Sequence, residues 1–255
     1  MTVINTNVAS LKTQAALTSN SRGLDRAMEQ LSTGKRINSA DDDAAGMALA
    51  TSFGARVASL NQAVRNSNDG ISLIQTADAA MQQIGDILQR MRELATQWNN
   101  GTYSSEDVDN IKIESAALAA EMTRITDDTN WNDITLLNGA TVTIQLQDST
   151  IDVELDDVSD LGVDEDSDVT AIDDALTTLA AARATAGSYV NRFQYTVDNL
   201  TTVSVHLAES KSRIEDADYG EASSALAKHQ VIQQAATAML AQANQQPQSV
   251  LTLLK

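Results

Sequence analysis

The chain has 255 residues, ordinary apolar content (42%), only 3% aromatics, one proline and no cysteine. Its net charge is −18, and no Lys or Arg stands between Arg124 and Arg183, where 15 Asp and Glu fall. That composition excludes a disulfide framework and thiol chemistry. It argues against a nucleic-acid binder or an anionic-lipid surface protein, both of which need a basic footprint. Ala, Leu, Ile and Val supply most of the apolar bulk, which suits narrow helix–helix seams better than an aromatic core.

The opening MTVINTNVASLKTQ lacks a basic segment followed by an apolar one, so no cleavable secretory signal is expected. The first helix is predicted from about Asn7 to Leu31. Ile4, Val8, Leu11 and Ala15 follow a 4-3-4 spacing, and Leu17, Leu24 and Leu31 then recur every seven residues. Gly34 suits a C-cap. Residues 36–45 form a connector, and Asp41 to Asp43 suit the start of the next helix, where the macrodipole favours acids.

The second helix keeps heptad spacing at Phe53, Val57, Leu60, Val64, Ser67, Ile71 and Ile74. The seam slips by one position and resumes at Ala77, Met81, Ile84, Leu88, Met91, Ala95 and Trp98, until Asn99-Asn100-Gly101 stops it. A third helix carries Val108, Ile111, Ser115, Leu118, Met122 and Ile125 after an N-terminal signal at Ser104 or Ser105. Residues 141–147 and 150–156 alternate with period two and predict a β-hairpin turning at Asp148-Ser149, with Val142, Ile144, Leu146, Ile151, Val153 and Leu155 on one face. An isolated hairpin is marginal, so a helix is expected to cover that face.

The fourth helix holds a 3-4 alternation from Val169 to Ile214, a length of about 70 Å. The last has its own seam at Ala225, His229, Ile232, Ala236, Met239, Ala243, Gln246, Val250 and Leu253, with Pro247 near its end. The expected fold is mainly α: a long rod of antiparallel heptad helices over 45–214 with one small hairpin at about 141–156. Residues 1–44 and 215–255 are expected to form the two halves of a terminal two-helix coiled coil. The two end helices are thin and Ala-rich. They bury too little apolar area to offset their ordering entropy, which suggests a subunit that finishes folding in a polymer.

Enzyme chemistry is poorly supported. The two histidines, His206 and His229, belong to no HExxH, and Gly70, Gly85 and Gly101 lack phosphate-loop spacing. The acidic stretch DDVSDLGVDEDSD fails the EF-hand template and reads as a solvated loop. No catalytic residue, metal or cofactor is expected.

Several long motifs now stand in order: QLSTGKRINSADDDAAGMALA (30–50), RNSNDGISLIQTADAAMQQI (65–84), LQRMRELATQ (88–97), WNDITLLNGA (131–140), SRIEDADYGEAS (212–223) and QANQQPQSVLTLLK (242–255). Together they resemble the bacterial flagellins, over about 1–140 and 168–255. The resemblance implies a structural subunit that self-assembles into the extracellular helical filament of the flagellum for motility. Its terminal helices would order on polymerisation, with Leu11, Leu17, Leu24, Leu31, Ile232, Met239, Val250 and Leu253 in the filament core. It also implies unfolded export through the flagellar type III apparatus with a cytosolic chaperone, and cap and hook-junction proteins as neighbours. About 30 residues separate Asn138 from Val169, which leaves no room for the outer domains that larger flagellins insert. Arg90, Leu94 and Glu114 match the segments by which a Toll-like receptor of animals recognises flagellins, and they equally suit subunit contact. Gln246 and His229 depart from the usual apolar and small residues, and His229 raises the expectation of acid-sensitive assembly. The alternatives are a hook–filament junction protein or a secreted monomer that binds host receptors.

Overall fold

The computed structural model describes residues 6–253, and side chains for residues 6–245. Ile4 and the side chains of Gln246, Pro247, Val250 and Leu253 lie outside the described residues. The elements are α1 (Val8–Thr33), α2 (Ala44–Trp98), α3 (Ser105–Asp128), β1 (Asn130–Trp131), β2 (Ile134–Thr135), β3 (Thr141–Gln145), β4 (Thr150–Glu154), α4 (Val169–Glu215) and α5 (Tyr219–Leu253). The chain divides into two compact units: Met1–Ala55 with His206–Lys255, and Arg56–Val205.

Local chemistry sets the helix ends. Asn7 caps α1 by accepting the Ser10 N–H, and Gly34 closes it in a left-handed turn that returns its N–H to the Gln30 carbonyl. Asp43 caps α2 by accepting the Gly46 N–H at 2.9 Å. Of the two serines proposed for α3, Ser104 is the cap, in a reciprocal capping box with Asp107.

In the Arg56–Val205 unit, α2, α3, α4 and the β3–β4 hairpin share one core. α2 supplies Leu73, Ile74, Ala77, Met81, Ile84, Leu88, Met91 and Ala95, while α4 supplies Ile172, Ala175, Leu179, Ala182, Ala186 and Phe193. Every one of the heptad positions read for α2, α3 and α4 within this unit is buried or half-buried. The slip in the α2 seam is real: Ile74 and Ala77 are both fully buried in one unbroken helix. Arg92 pairs with Asp173 and Arg183 with Asp78, so residues rising along α2 meet residues falling along α4, and the two are antiparallel.

The hairpin docks as expected. Ile151, Val153 and Leu155 are buried, and Val142, Ile144 and Leu146 are half-buried. Asn66 of α2 donates to the Gln145 carbonyl at 2.8 Å. Gly70 lets the sheet approach: a Cβ there would sit 3.3 Å from both Ile144 and Phe193. The turn differs from the expected Asp148-Ser149 pair. Gln145 pairs with Thr150, so the loop is the four residues 146–149, closed by the Leu146 N–H on the Ser149 carbonyl. The pairing shifts by an even number of residues, so every side chain keeps its face. A second hairpin, β1–β2, was not expected. Its two-residue turn is Asn132-Asp133, both at positive φ, which these residue types tolerate.

Candidate assembly interface

In the other unit, α1 and α5 form the antiparallel pair expected of the chain ends. Asn7 Nδ2 donates to the Ala243 carbonyl at 2.7 Å, and Ser10 Oγ lies 2.9 Å from Asn244 Oδ1. Midway, Asn20 Nδ2 donates to the His229 carbonyl at 2.9 Å while its Oδ1 faces His229 Nδ1 at 2.8 Å. At the far end the connector zips shut. The Arg36 N–H donates to the Glu215 carbonyl, and the Ala217 N–H to the Gly34 carbonyl. Lys35 also pairs with Glu215 there, which raises the pKa of the ammonium and lowers that of the carboxyl. Buried Ile37 and Ala50 pack beside this junction.

The seam is not the one the apolar pattern suggested. On α1 the inward heptad is Ser10, Thr13, Leu17, Asn20, Leu24, Ala27 and Leu31, all buried or half-buried. Leu17, Leu24 and Leu31 belong to it as expected. Val8, Leu11 and Ala15 do not: they face outward, with Leu11 56% exposed. On α5 the inward set is Ala222, Leu226, His229, Gln233, Ala236, Leu240 and Ala243. Ile232 and Met239 lie outside it, 40% and 62% exposed. The physical reason is that α5 carries two overlapping heptad stripes sharing residues 229, 236 and 243, offset by one position elsewhere. One stripe meets α1, and the other is left as an apolar face.

Sequence reasoning missed the inward Ser10, Thr13 and Asn20, because a search for apolar period cannot see a seam closed by hydrogen bonds. It also missed Val231, 65% exposed beside Ile232. The unit therefore has a thin, partly polar interior and leaves several large apolar side chains exposed, more than a self-sufficient coiled coil needs to show.

The second group of interest lies in the Arg56–Val205 unit. The guanidinium of Arg90 donates to Glu114 of α3 at 2.8–2.9 Å and to Glu93 at 2.9 Å. Those partners hold its pKa above the ordinary value, Glu114 foremost. Arg90 and Glu114 are thus brought together at the surface. Leu94 is only 2% exposed and faces inward.

Comparison with known proteins agrees with this architecture. Residues 4–141 match the bacterial flagellin N-terminal helical region, and residues 169–254 match the bacterial flagellin C-terminal helical region. A flagellin of Halalkalibacterium halodurans is 39% identical, with 99% of this chain and 100% of that protein aligned. A flagellin of Listeria innocua is 38% identical over 98% of this chain and 99% of its own length. The flagellar filament 33 kDa core protein of Treponema phagedenis is 34% identical, over 99% and 100%. The crystal structure of Bacillus cereus flagellin superposes with a TM-score of 0.50 at 33% identity, over 53% of this chain and 88% of that one. With both terminal regions matched in order, and relatives aligned end to end, this chain belongs to the bacterial flagellin family, structural proteins of the flagellar filament.

Proposed function

We propose that the chain is the repeating subunit of an extracellular helical flagellar filament, without catalysis, and that its end helices complete their folding on entering the lattice. The observation that carries this reading is the set of large apolar side chains the α1–α5 pair leaves exposed: Val8 and Leu11 on α1, and Val231, Ile232 and Met239 on α5. A pair with so thin an apolar interior gains most by covering those side chains with neighbouring copies. Leu17, Leu24 and Leu31 hold the pair together. Residues 45–214 serve as the rod domain. Contacts that repeat head-to-tail without closing generate a tube rather than a ring.

In this reading the chain leaves the cell through the flagellar type III apparatus. A cytosolic chaperone escorts it, and cap and hook-junction proteins border the finished filament. The Arg90–Glu114 pair, with buried Leu94 one turn along α2, marks the contact surface for a flagellin-sensing Toll-like receptor and for the neighbouring subunit. Seeded polymerisation followed by sedimentation and electron microscopy tests the core of this. Long tubes are expected from the full chain, and none after deletion of 1–35 or 222–255, with helical circular dichroism retained by the remainder. A truncated chain that still forms normal tubes sinks the coupled-folding reading. Short caps in place of tubes point to a junction protein.

A further inference from the structure

We propose that Asn20, Gly23 and His229 form a specificity lock that admits one register of α1 against α5, and only an α1 without a side chain at position 23. The helix Val8–Thr33 contains one glycine, Gly23, in its interior, where glycine costs about 1 kcal/mol relative to alanine. Its backbone geometry is ordinary, so conformation does not require it. The ring of His229 does. A Cβ on Gly23 would lie 2.5 Å from Cε1, 2.8 Å from Nε2 and 3.1 Å from Nδ1 of that ring, closer than side chains pack.

The ring is held there by Asn20, one turn earlier on α1. The Asn20 amide nitrogen is committed to the His229 carbonyl, which leaves Oδ1 as an acceptor for an Nδ1–H of the ring. Backbone and side chain of one residue are therefore gripped by one asparagine. Sliding α5 by a heptad in either direction would set His229 against Thr13 and Ala16, or against Ala27 and Gln30. Both alternatives have a Cβ where the ring needs space, and neither has an amide at the position Asn20 occupies. A polar grip and a steric slot, each satisfied at only one place, select the register more sharply than a thin seam of Ala and Leu could alone. The lock's part in assembly rests on the filament reading above; its part in pairing the two helices does not.

The test compares the full chain with Gly23→Ala, His229→Ala, Asn20→Ala and the double variant G23A/H229A. Two quantities are read: amide hydrogen exchange over α1 and α5, in soluble and sedimented protein, and the critical concentration of seeded polymerisation. Gly23→Ala alone is expected to lose protection over 15–30 and 222–236 and to raise the critical concentration on the order of tenfold. In the H229A background the same change is expected to be neutral or favourable, because alanine is then merely the better helix former. Asn20→Ala is expected to weaken the wild-type chain more than the H229A chain. Equal effects of Gly23→Ala in both backgrounds, or a double variant no better than Gly23→Ala, would overturn the lock. Protection without tubes in the unaltered chain sinks the filament reading and leaves the exchange data to judge the lock. Absence of protection in both states sinks the lock itself.

Discussion

Arg90 and Leu94 stand one turn apart on α2 and have opposite surroundings: the guanidinium is about half exposed and bound to Glu114, while the leucine is 2% exposed. Substitutions at the two positions should separate recognition from stability. Leu94→Ala is expected to cost about 2–5 kcal/mol, through lost burial and the cavity left behind. Arg90→Ala should leave the thermal midpoint almost unchanged, because an exposed pair is screened by solvent. A receptor assay on both variants, read against their unfolding curves, checks this. If Arg90→Ala melts as early as Leu94→Ala, the assignment of roles is wrong.

Ser115 should be better replaced than kept. Its Oγ is fully buried on α3 and has no hydrogen-bond partner among the described residues. Ser115→Ala removes a desolvated hydroxyl and improves helix propensity, so a gain of about 1 kcal/mol is expected in urea unfolding. A loss of stability would mean that the hydroxyl is satisfied in solution.

Phe193 and Tyr195 lie two residues apart on α4 and should differ sharply. Phe193 is fully buried against α2 and the hairpin, while Tyr195 is 77% exposed. Phe193→Ala is expected to cost about 3–5 kcal/mol, and Tyr195→Ala no more than about 0.5 kcal/mol. Comparable denaturant midpoints for the two variants would contradict the packing described.

The Lys35–Glu215 pair predicts a pH window. The Glu215 carboxyl has its pKa lowered in the fold, chiefly by Lys35, so its contribution is present above the ordinary carboxylate range and is lost as pH falls through the lowered value. The Lys35 pKa is raised by Glu215, so its contribution is present below the ordinary lysine range and is lost as pH rises through the raised value. The pair therefore acts across neutral pH and fades at both extremes. Glu215→Gln should lower the thermal midpoint at pH 7, and by progressively less as the pH falls below the ordinary carboxylate range. A difference independent of pH would show that the carboxyl's charge is not what matters.

Much of this fold was legible because α2, α3 and α4 bury continuous apolar heptads, and burial follows apolar period directly. Even the seam slip at Ile74–Ala77 could be read from spacing. The family was legible for a different reason, the order of several long motifs. Three things were not. The β1–β2 hairpin has strands too short for any alternation, although Asn132-Asp133 is a turn signal in itself. The hairpin turn was misplaced because the alternation runs on through 146–147, where pairing has already stopped. At the assembly interface, α5 offered two stripes and apolar content favoured the wrong one, since the Ile232 and Met239 side looks more like a core than the Gln233 and Leu240 side does. The choice is made by contacts across 209 residues of chain, the Asn20–His229 grip, and periodicity within one helix cannot register them.

The seam of the α1–α5 pair is also graded along its length. Near the connector it is closed by Ala27, Ala222 and the backbone bonds of 34–37 with 215–217; near the outer end it is closed by Ala243 and by the hydrogen bonds of Asn7 and Ser10 with residues 243 and 244. Apolar closure persists when water competes, whereas exposed amide bonds exchange readily with solvent. The pair is therefore expected to nucleate at the connector, propagate toward the tips and open in the reverse order. Amide exchange rising steadily from Ala27 back to Asn7 would record that polarity, and uniform rates along α1 would refute it. On that order the outermost turns would commit last, and a neighbouring copy that captured them would compete only with the weakest part of the pair.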